Sequence, residues 1–182
     1  MLFLTPNTVV NNRYRIVRNV GHGGMGAVYE AIDERLNTTV ALKQTTVSGE
    51  HFNKAFEREA KLLASLHHPA LPVVSDHFVD STGQFLIMRF IPGTDLGALL
   101  AQHGGPFPVD IVLNWANQLL SVLEYLHTRQ PPILHRDIKP QNIKLTEEGE
   151  LVLLDFGLAK GAISAQSAGR SLSSLYGYSN PK

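Results

Sequence analysis

Ile133-Leu134-His135-Arg136-Asp137-Ile138-Lys139-Pro140-Gln141-Asn142 places five groups able to handle a phosphate, a metal or a proton within eight residues. Pro140 fixes one φ angle and removes one N–H, so the segment cannot be a helix interior. Apolar Ile133, Leu134 and Ile143 anchor it at both ends. It reads as a loop on a rigid scaffold, the usual place for chemistry. Thirteen residues beyond Asn142, after the run Leu151-Val152-Leu153-Leu154, stands Asp155-Phe156-Gly157. Two acids and an amide on adjacent loops can hold a divalent cation and a nucleophile together.

Working outward, the chain upstream is strand-rich. Residues 14–20, 27–32, 40–43, 73–79 and 85–91 read as five short strands by alternation and turn signals. One helix is expected over 52–66, with Phe52, Phe56, Leu63 and Leu66 as its apolar stripe. Glu59 falls on that stripe, whereas Glu57 faces out, four residues before Lys61. Pro92-Gly93 breaks the pattern and reads as a hinge. Helices follow, one over 95–102 with Thr94 as its cap and one over 108–128 with Val112, Trp115, Leu119, Val122 and Leu126 on one stripe. The expected division is an extension over 1–13, a first lobe over 14–91 and a second over 92–182.

Composition narrows the function. At 182 residues, 43% hydrophobic and 18% charged, the chain can bury a core. Sixteen basic and sixteen acidic residues cancel, which gives no support for nucleic-acid or bulk membrane binding. There is no cysteine, hence no disulfide framework or thiolate metal site. The apolar start Met1-Leu2-Phe3-Leu4 is too short for a signal segment, and no run reaches membrane-spanning length. A cytoplasmic protein is expected.

Gly21-x-Gly23-x-x-Gly26-x-Val28 lets backbone N–H groups approach phosphates closely. A dinucleotide fingerprint needs a helix at its third glycine; residues 27–32 are strand-like instead. Lys43 ends an apolar strand and is the natural cation for the inward Glu59, and such a pair can point an ammonium at phosphate oxygens. Asn142 and Asp155 offer magnesium hard oxygen ligands. Asp137 is then left to accept a hydroxyl proton, with Lys139 to neutralise a transferring phosphoryl group.

His-Arg-Asp-x-Lys-Pro-x-Asn followed by Asp-Phe-Gly at this distance resembles a Ser/Thr protein kinase of the eukaryotic-like type found in bacteria, from about Tyr14 onward. The resemblance implies an α+β, protein-kinase-like bilobal fold: an antiparallel five-stranded first lobe with one helix, then the first, incomplete part of a helical second lobe. It implies ATP and Mg2+ (with Mn2+ as a substitute) as cofactors and a Ser/Thr-bearing protein as substrate. Asp137, Lys139, Lys43 and Glu59 are the catalytic set it implies, and Asn142 and Asp155 the metal ligands. The nucleotide would be held by Gly21, His22, Gly23, Gly24, Met25 and Gly26, roofed by Val28 and Ala41 and gated by Met88. The backbone of Arg89-Phe90-Ile91 would bind adenine, and Asp95 would approach the ribose. Lys139 points to the Ser/Thr branch, and Arg136 implies control through Ser164, Ser167, Ser171, Ser173, Ser174 or Tyr176.

Three departures from the family stand out. Arg89 replaces an acidic residue at the hinge. Lys144 stands where the family puts an apolar residue beneath adenine, leaving its aliphatic stem to stack. The sequence ends at Ser179-Asn180-Pro181-Lys182, at or just before the family's Ala-Pro-Glu segment, so most of the substrate-binding lobe is expected to be missing. The alternative is therefore a fragment that binds nucleotide or a partner without turnover. Lys139-Pro140 and the complete Asp-Phe-Gly argue against a small-molecule phosphotransferase. His67, His68 and His135 make a poor metal cluster, because no carboxylate sits at ligand spacing.

Overall fold

The computed structural model describes residues 3–23, 26–46 and 50–154. The first lobe is a sheet of six antiparallel strands: β1 (Val9–Val10), β2 (Tyr14–Gly23), β3 (Gly26–Asp33), β4 (Thr38–Thr45), β5 (Val74–Asp80) and β6 (Gly83–Arg89). Their spatial order is β1-β2-β3-β4-β6-β5. Helix α1 (Glu50–Ala64) connects β4 to β5.

The sixth strand corrects the expected count of five. Val9 and Val10 pair with Arg15 and Tyr14 through a turn in which Asn11 and Asn12 take positive φ. Asparagine tolerates that conformation, so the Asn-Asn pair was the available signal. Residues ahead of it also pack on the sheet: the Leu4 N–H donates to the Tyr29 hydroxyl (3.2 Å) and the Asn7 N–H to the Ile16 carbonyl (2.8 Å).

Register sorts the sheet residues onto two faces, because directly paired residues point the same way. Leu42 lies opposite Tyr29 and Ile87, and Val40 opposite Ala31. With Tyr14, Ile16 and Phe85 they make one buried core. The other face carries Val28–Lys43–Leu86 and Glu30–Ala41–Met88 as cross-strand rows. Leu86 belongs to the second core, with Ala60 and Leu63 of α1, and Phe56 and Met88 pack against it. At the edge, Arg13 donates to both carboxylate oxygens of Asp33 (2.9 and 2.6 Å) and to Asp76 (3.3 Å), which also accepts from the Tyr14 hydroxyl (2.6 Å). The Arg13 hydrogen bonds hold the Asp33 carboxyl below its ordinary range. That contribution to stability is present above the ordinary carboxylate range and is lost as pH falls through the lowered value.

Helix α1 begins and ends two residues earlier than its apolar stripe. Its last turn tightens into i→i−3 bonds, Ser65 N–H to the Leu62 carbonyl and Leu66 N–H to the Leu63 carbonyl (3.1 Å each), ahead of Pro69. Leu66 still buries itself beyond the helix end.

At the hinge, Gly93 takes φ 104°, and a Cβ there would stand 2.2 Å from the Leu145 carbonyl oxygen. Beyond it a three-stranded sheet forms from β7 (Thr94–Asp95), β8 (Ile143–Leu145) and β9 (Leu151–Leu153). Helix α2 (Leu96–His103) follows β7 directly. Its cap is Asp95 rather than Thr94: the Asp95 carboxylate accepts the Ala98 N–H at 2.9 Å. Helix α3 (Val109–His127) buries Val122 and Leu126 completely, while Trp115 and Leu119 pack half-buried on the same core. Val112, placed on that stripe by its spacing, is 44% exposed. Among the described residues no helix is long and apolar enough to cross a membrane.

Candidate active site

The sheet face bearing Val28, Ala41, Lys43 and Met88 is turned toward the second lobe, since Leu86 on that face shares its core with Leu126, Ile133, Ile143 and Leu151. The glycine hairpin joins β2 to β3, with Gly21 opposite Val28, His22 opposite Ala27 and Gly23 opposite Gly26. A Cβ at Gly26 would lie 1.9 Å from the Gln44 carbonyl oxygen, so strand packing requires that glycine. At Gly21 and Gly23 a Cβ would meet nothing within 4 Å. Contacts with described residues do not require glycine at those two positions. His22 meets the edge of the Phe3 ring at 5.8 Å between centroids. Gly24 and Met25 lie outside the described residues.

Glu59 is half-buried on α1 and lies within electrostatic range of Lys43. Burial raises its carboxyl above the ordinary value, and the Lys43 charge pulls it partly back. The helical phase thus brings the two charges into range of each other, with burial the larger influence on the carboxyl.

The loop at 133–142 is tied at several points. The Ile133 N–H donates to the Leu126 carbonyl (3.0 Å), fixing the loop to the end of α3. His135 is buried, with Nε2 2.9 Å from the Leu154 carbonyl oxygen. The Leu154 N–H donates in turn to the Asn142 carbonyl (2.7 Å). Leu154 is therefore held to the loop from both sides. Asp155, Phe156 and Gly157 lie outside the described residues, as do Ser164, Ser167, Ser171, Ser173, Ser174 and Tyr176. Arg136 sits at φ 62°, a left-handed conformation that turns the chain sharply just before Asp137.

Pro140–Asn142 form a single 3-10 turn, and Asn142 within it contacts Asp137. The Asn142 amide donates to the Asp137 carbonyl (2.8 Å) and to its Oδ2 (2.9 Å). Lys139 Nζ stands 3.2 Å from the same Oδ2. Two donors on one carboxylate oxygen fix its orientation. With its amide nitrogen so engaged, Asn142 has Oδ1 to offer as a hard oxygen ligand. Among the described residues no group of three His, Cys, Asp or Glu could hold a metal. His68 lies beside Tyr125 at 5.1 Å, a packing contact.

The cleft floor departs from expectation. Lys144 on β8 does more than lay its stem along the cleft: Nζ donates to the Ile91 carbonyl at 2.7 Å and lies 5.3 Å from the Phe90 ring centroid. Ile91 is buried, while Arg89 is exposed. Asp95 pairs with Lys144 across β7–β8 while its side chain caps α2. Above, Arg18 of β2 pairs with Glu30 of β3 at 2.6 Å. The Lys144–Ile91 contact carries no signal in the sequence, because it joins residues 53 apart with no shared period.

Residues 14–181 match the family model described as the protein kinase domain. The chain belongs to the protein kinase domain family. Among curated relatives, this kinase domain is 39% identical over 166 residues to the "Probable serine/threonine-protein kinase pknA2" of Bifidobacterium longum, covering 88% of this chain and 22% of that protein. It is 38% identical to the "Probable serine/threonine-protein kinase YbdM" of Bacillus subtilis, covering 86% of this chain and 61% of that protein. Among solved structures, the apo form of PpkA-294 superposes with a TM-score of 0.75 at 30% identity, covering 91% of this chain and 66% of that one. Rad53 1-466 in complex with AMP-PNP superposes at 0.71 and 28% identity, covering 80% of this chain and 38% of that one. The chain spans less than two thirds of the length of each of these relatives.

Proposed function

We propose that the chain transfers the γ-phosphoryl group of Mg-ATP to Ser or Thr hydroxyls of a protein, in the cytoplasm. The observation that carries this reading is the convergence of Lys139 and Asn142 on Asp137, on a loop bonded to Leu154 from both sides. Asp137 accepts the proton of the attacking hydroxyl as its oxygen bonds to phosphorus and the bond to the bridging oxygen of ADP breaks. Lys139 offsets negative charge on the equatorial oxygens. Lys43, in range of Glu59, binds the α- and β-phosphates. Gly21, His22, Gly23, Gly24, Met25 and Gly26 cover them, Val28 and Ala41 roof the base, Met88 gates its pocket, Arg89, Phe90 and Ile91 line its edge, and Asp95 lies toward the ribose. Magnesium, or manganese in its place, would be held by Asn142 and Asp155 and would neutralise phosphate charge. That Rad53, whose chain superposes on this one, was solved in complex with AMP-PNP supports the nucleotide-binding part of this reading.

A second reading is a nucleotide- or partner-binding module without turnover. Incubation with γ-labelled Mg-ATP and a basic protein separates the two. Acid-stable label on serine or threonine is the expected result. Label confined to tyrosine or histidine contradicts the Ser/Thr assignment, and ATP binding with no transfer favours the module.

A further inference from the structure

We propose that Phe3 is a positioning residue of the nucleotide site, carried by a strap, residues 3–8, that steadies the glycine hairpin from its outer side. The inference rests on the nucleotide-site reading and deepens it. Three hydrogen bonds seat the strap on the sheet. The Leu4 N–H donates to the Tyr29 hydroxyl (3.2 Å), the Asn7 N–H to the Ile16 carbonyl (2.8 Å) and the Ile16 N–H to the Thr8 carbonyl (2.9 Å). The Leu4 side chain packs against the core that holds Ala27 and Tyr29. The anchor is itself fixed. Tyr29 is fully buried, its hydroxyl donates to Gln44 Oε1 (3.2 Å), and Gln44 Nε2 donates to the Thr82 carbonyl (2.9 Å).

Phe3 stands next to that anchor and reaches the hairpin. Its ring meets the His22 ring at 5.8 Å between centroids and 71° between planes, the geometry of a favourable aromatic pair. His22 lies opposite Ala27, which belongs to the buried core shared with Tyr29 and Ala31. Its side chain therefore leaves the hairpin on the face opposite Val28 and Lys43. Phe3 touches the hairpin from outside and takes no room from a ligand beneath it. Glycine restrains the backbone least of all residues, and at Gly21 and Gly23 neighbouring atoms add no restraint, since a Cβ there would meet nothing within 4 Å. The Phe3–His22 contact falls between those two glycines. Backbone N–H groups bind phosphate better when they are held in place beforehand, because less ordering is left for the ligand to impose. Phe3 is 49% exposed, so its ring adds little to the core.

Phe3→Ala in the full chain is expected to raise the dissociation constant for Mg-ATP by about three- to tenfold, the effect one aromatic pair can supply. Adenosine has no phosphates for the hairpin to cover, so it should bind Phe3→Ala and the unaltered chain equally. Melting without ligand should be nearly unchanged. Phe3→Tyr keeps the ring and should return Mg-ATP binding to within about twofold of the unaltered chain. A merely structural role would weaken adenosine together with Mg-ATP. Equal Mg-ATP binding by Phe3→Ala and the unaltered chain overturns the inference alone. So does an equal loss for adenosine and Mg-ATP, or a Phe3→Tyr protein as weak as Phe3→Ala. No Mg-ATP binding by the unaltered chain overturns the nucleotide-site reading, and this inference with it.

Discussion

Asp137→Asn is expected to lower the rate of phosphoryl transfer by about 10²–10⁴-fold, the usual share of a positioned general base. The substitution is nearly isosteric. The carbonyl oxygen of the introduced amide could still accept from the Asn142 side chain, which now reaches Oδ2 of Asp137 at 2.9 Å. The Asn142 contact to the main-chain carbonyl at this position would be unchanged. The loop should therefore keep its shape, and the melting temperature should move little. What is lost is the capacity to take a proton and the negative charge opposite Lys139. Initial rates of label transfer, with melting measured in parallel, separate the two effects. Transfer within a few-fold of the unaltered chain would remove Asp137 from the role of base.

Leu126→Ala is expected to destabilise the fold by about 2–5 kcal/mol, the range for truncating a fully buried leucine. For a chain of this size that corresponds to a fall of roughly 4–20 °C in melting temperature. Leu126 has no exposed surface and lies in the core shared by α1, α3, β8 and β9. Its carbonyl also receives the Ile133 N–H at 3.0 Å, so relaxation around the cavity is transmitted to the start of the 133–142 loop. Differential scanning fluorimetry measures the first effect. A loss under about 1 kcal/mol would mean the two lobes do not share one cooperative core.

Local pattern made the parts of this kinase domain that depend on period legible. Alternation along β3 put Val28 and Glu30 on the face opposite Tyr29 and Ala31, and register carried that assignment to Ala41, Lys43 and Met88. The helical phase of Glu59 placed it toward Lys43, and the outward Glu57 does pair with Lys61 at 2.7 Å. The strength of the Lys43–Glu59 coupling was not legible, since phase fixes direction but not how far α1 stands from the sheet. The cap of α2 was placed one residue early because Thr94 and Asp95 are both good caps, and only pairing of Thr94 with Leu145 decides between them. β1 escaped because two residues carry no period. Lys144 could be seen as out of place on an apolar floor, but its bond to Ile91 joins residues 53 apart.

The central claim is that the Lys43 face, the glycine hairpin and the 133–142 loop enclose a nucleotide site. Melting of the unaltered chain with and without Mg-ATP, beside Lys43→Ala, tests it most directly. At about 100 times its dissociation constant a ligand adds roughly 2.7 kcal/mol, which predicts a rise of about 5–10 °C in the unaltered chain and loss of most of that rise in Lys43→Ala. No rise in the unaltered chain, or the same rise in both proteins, would contradict the account.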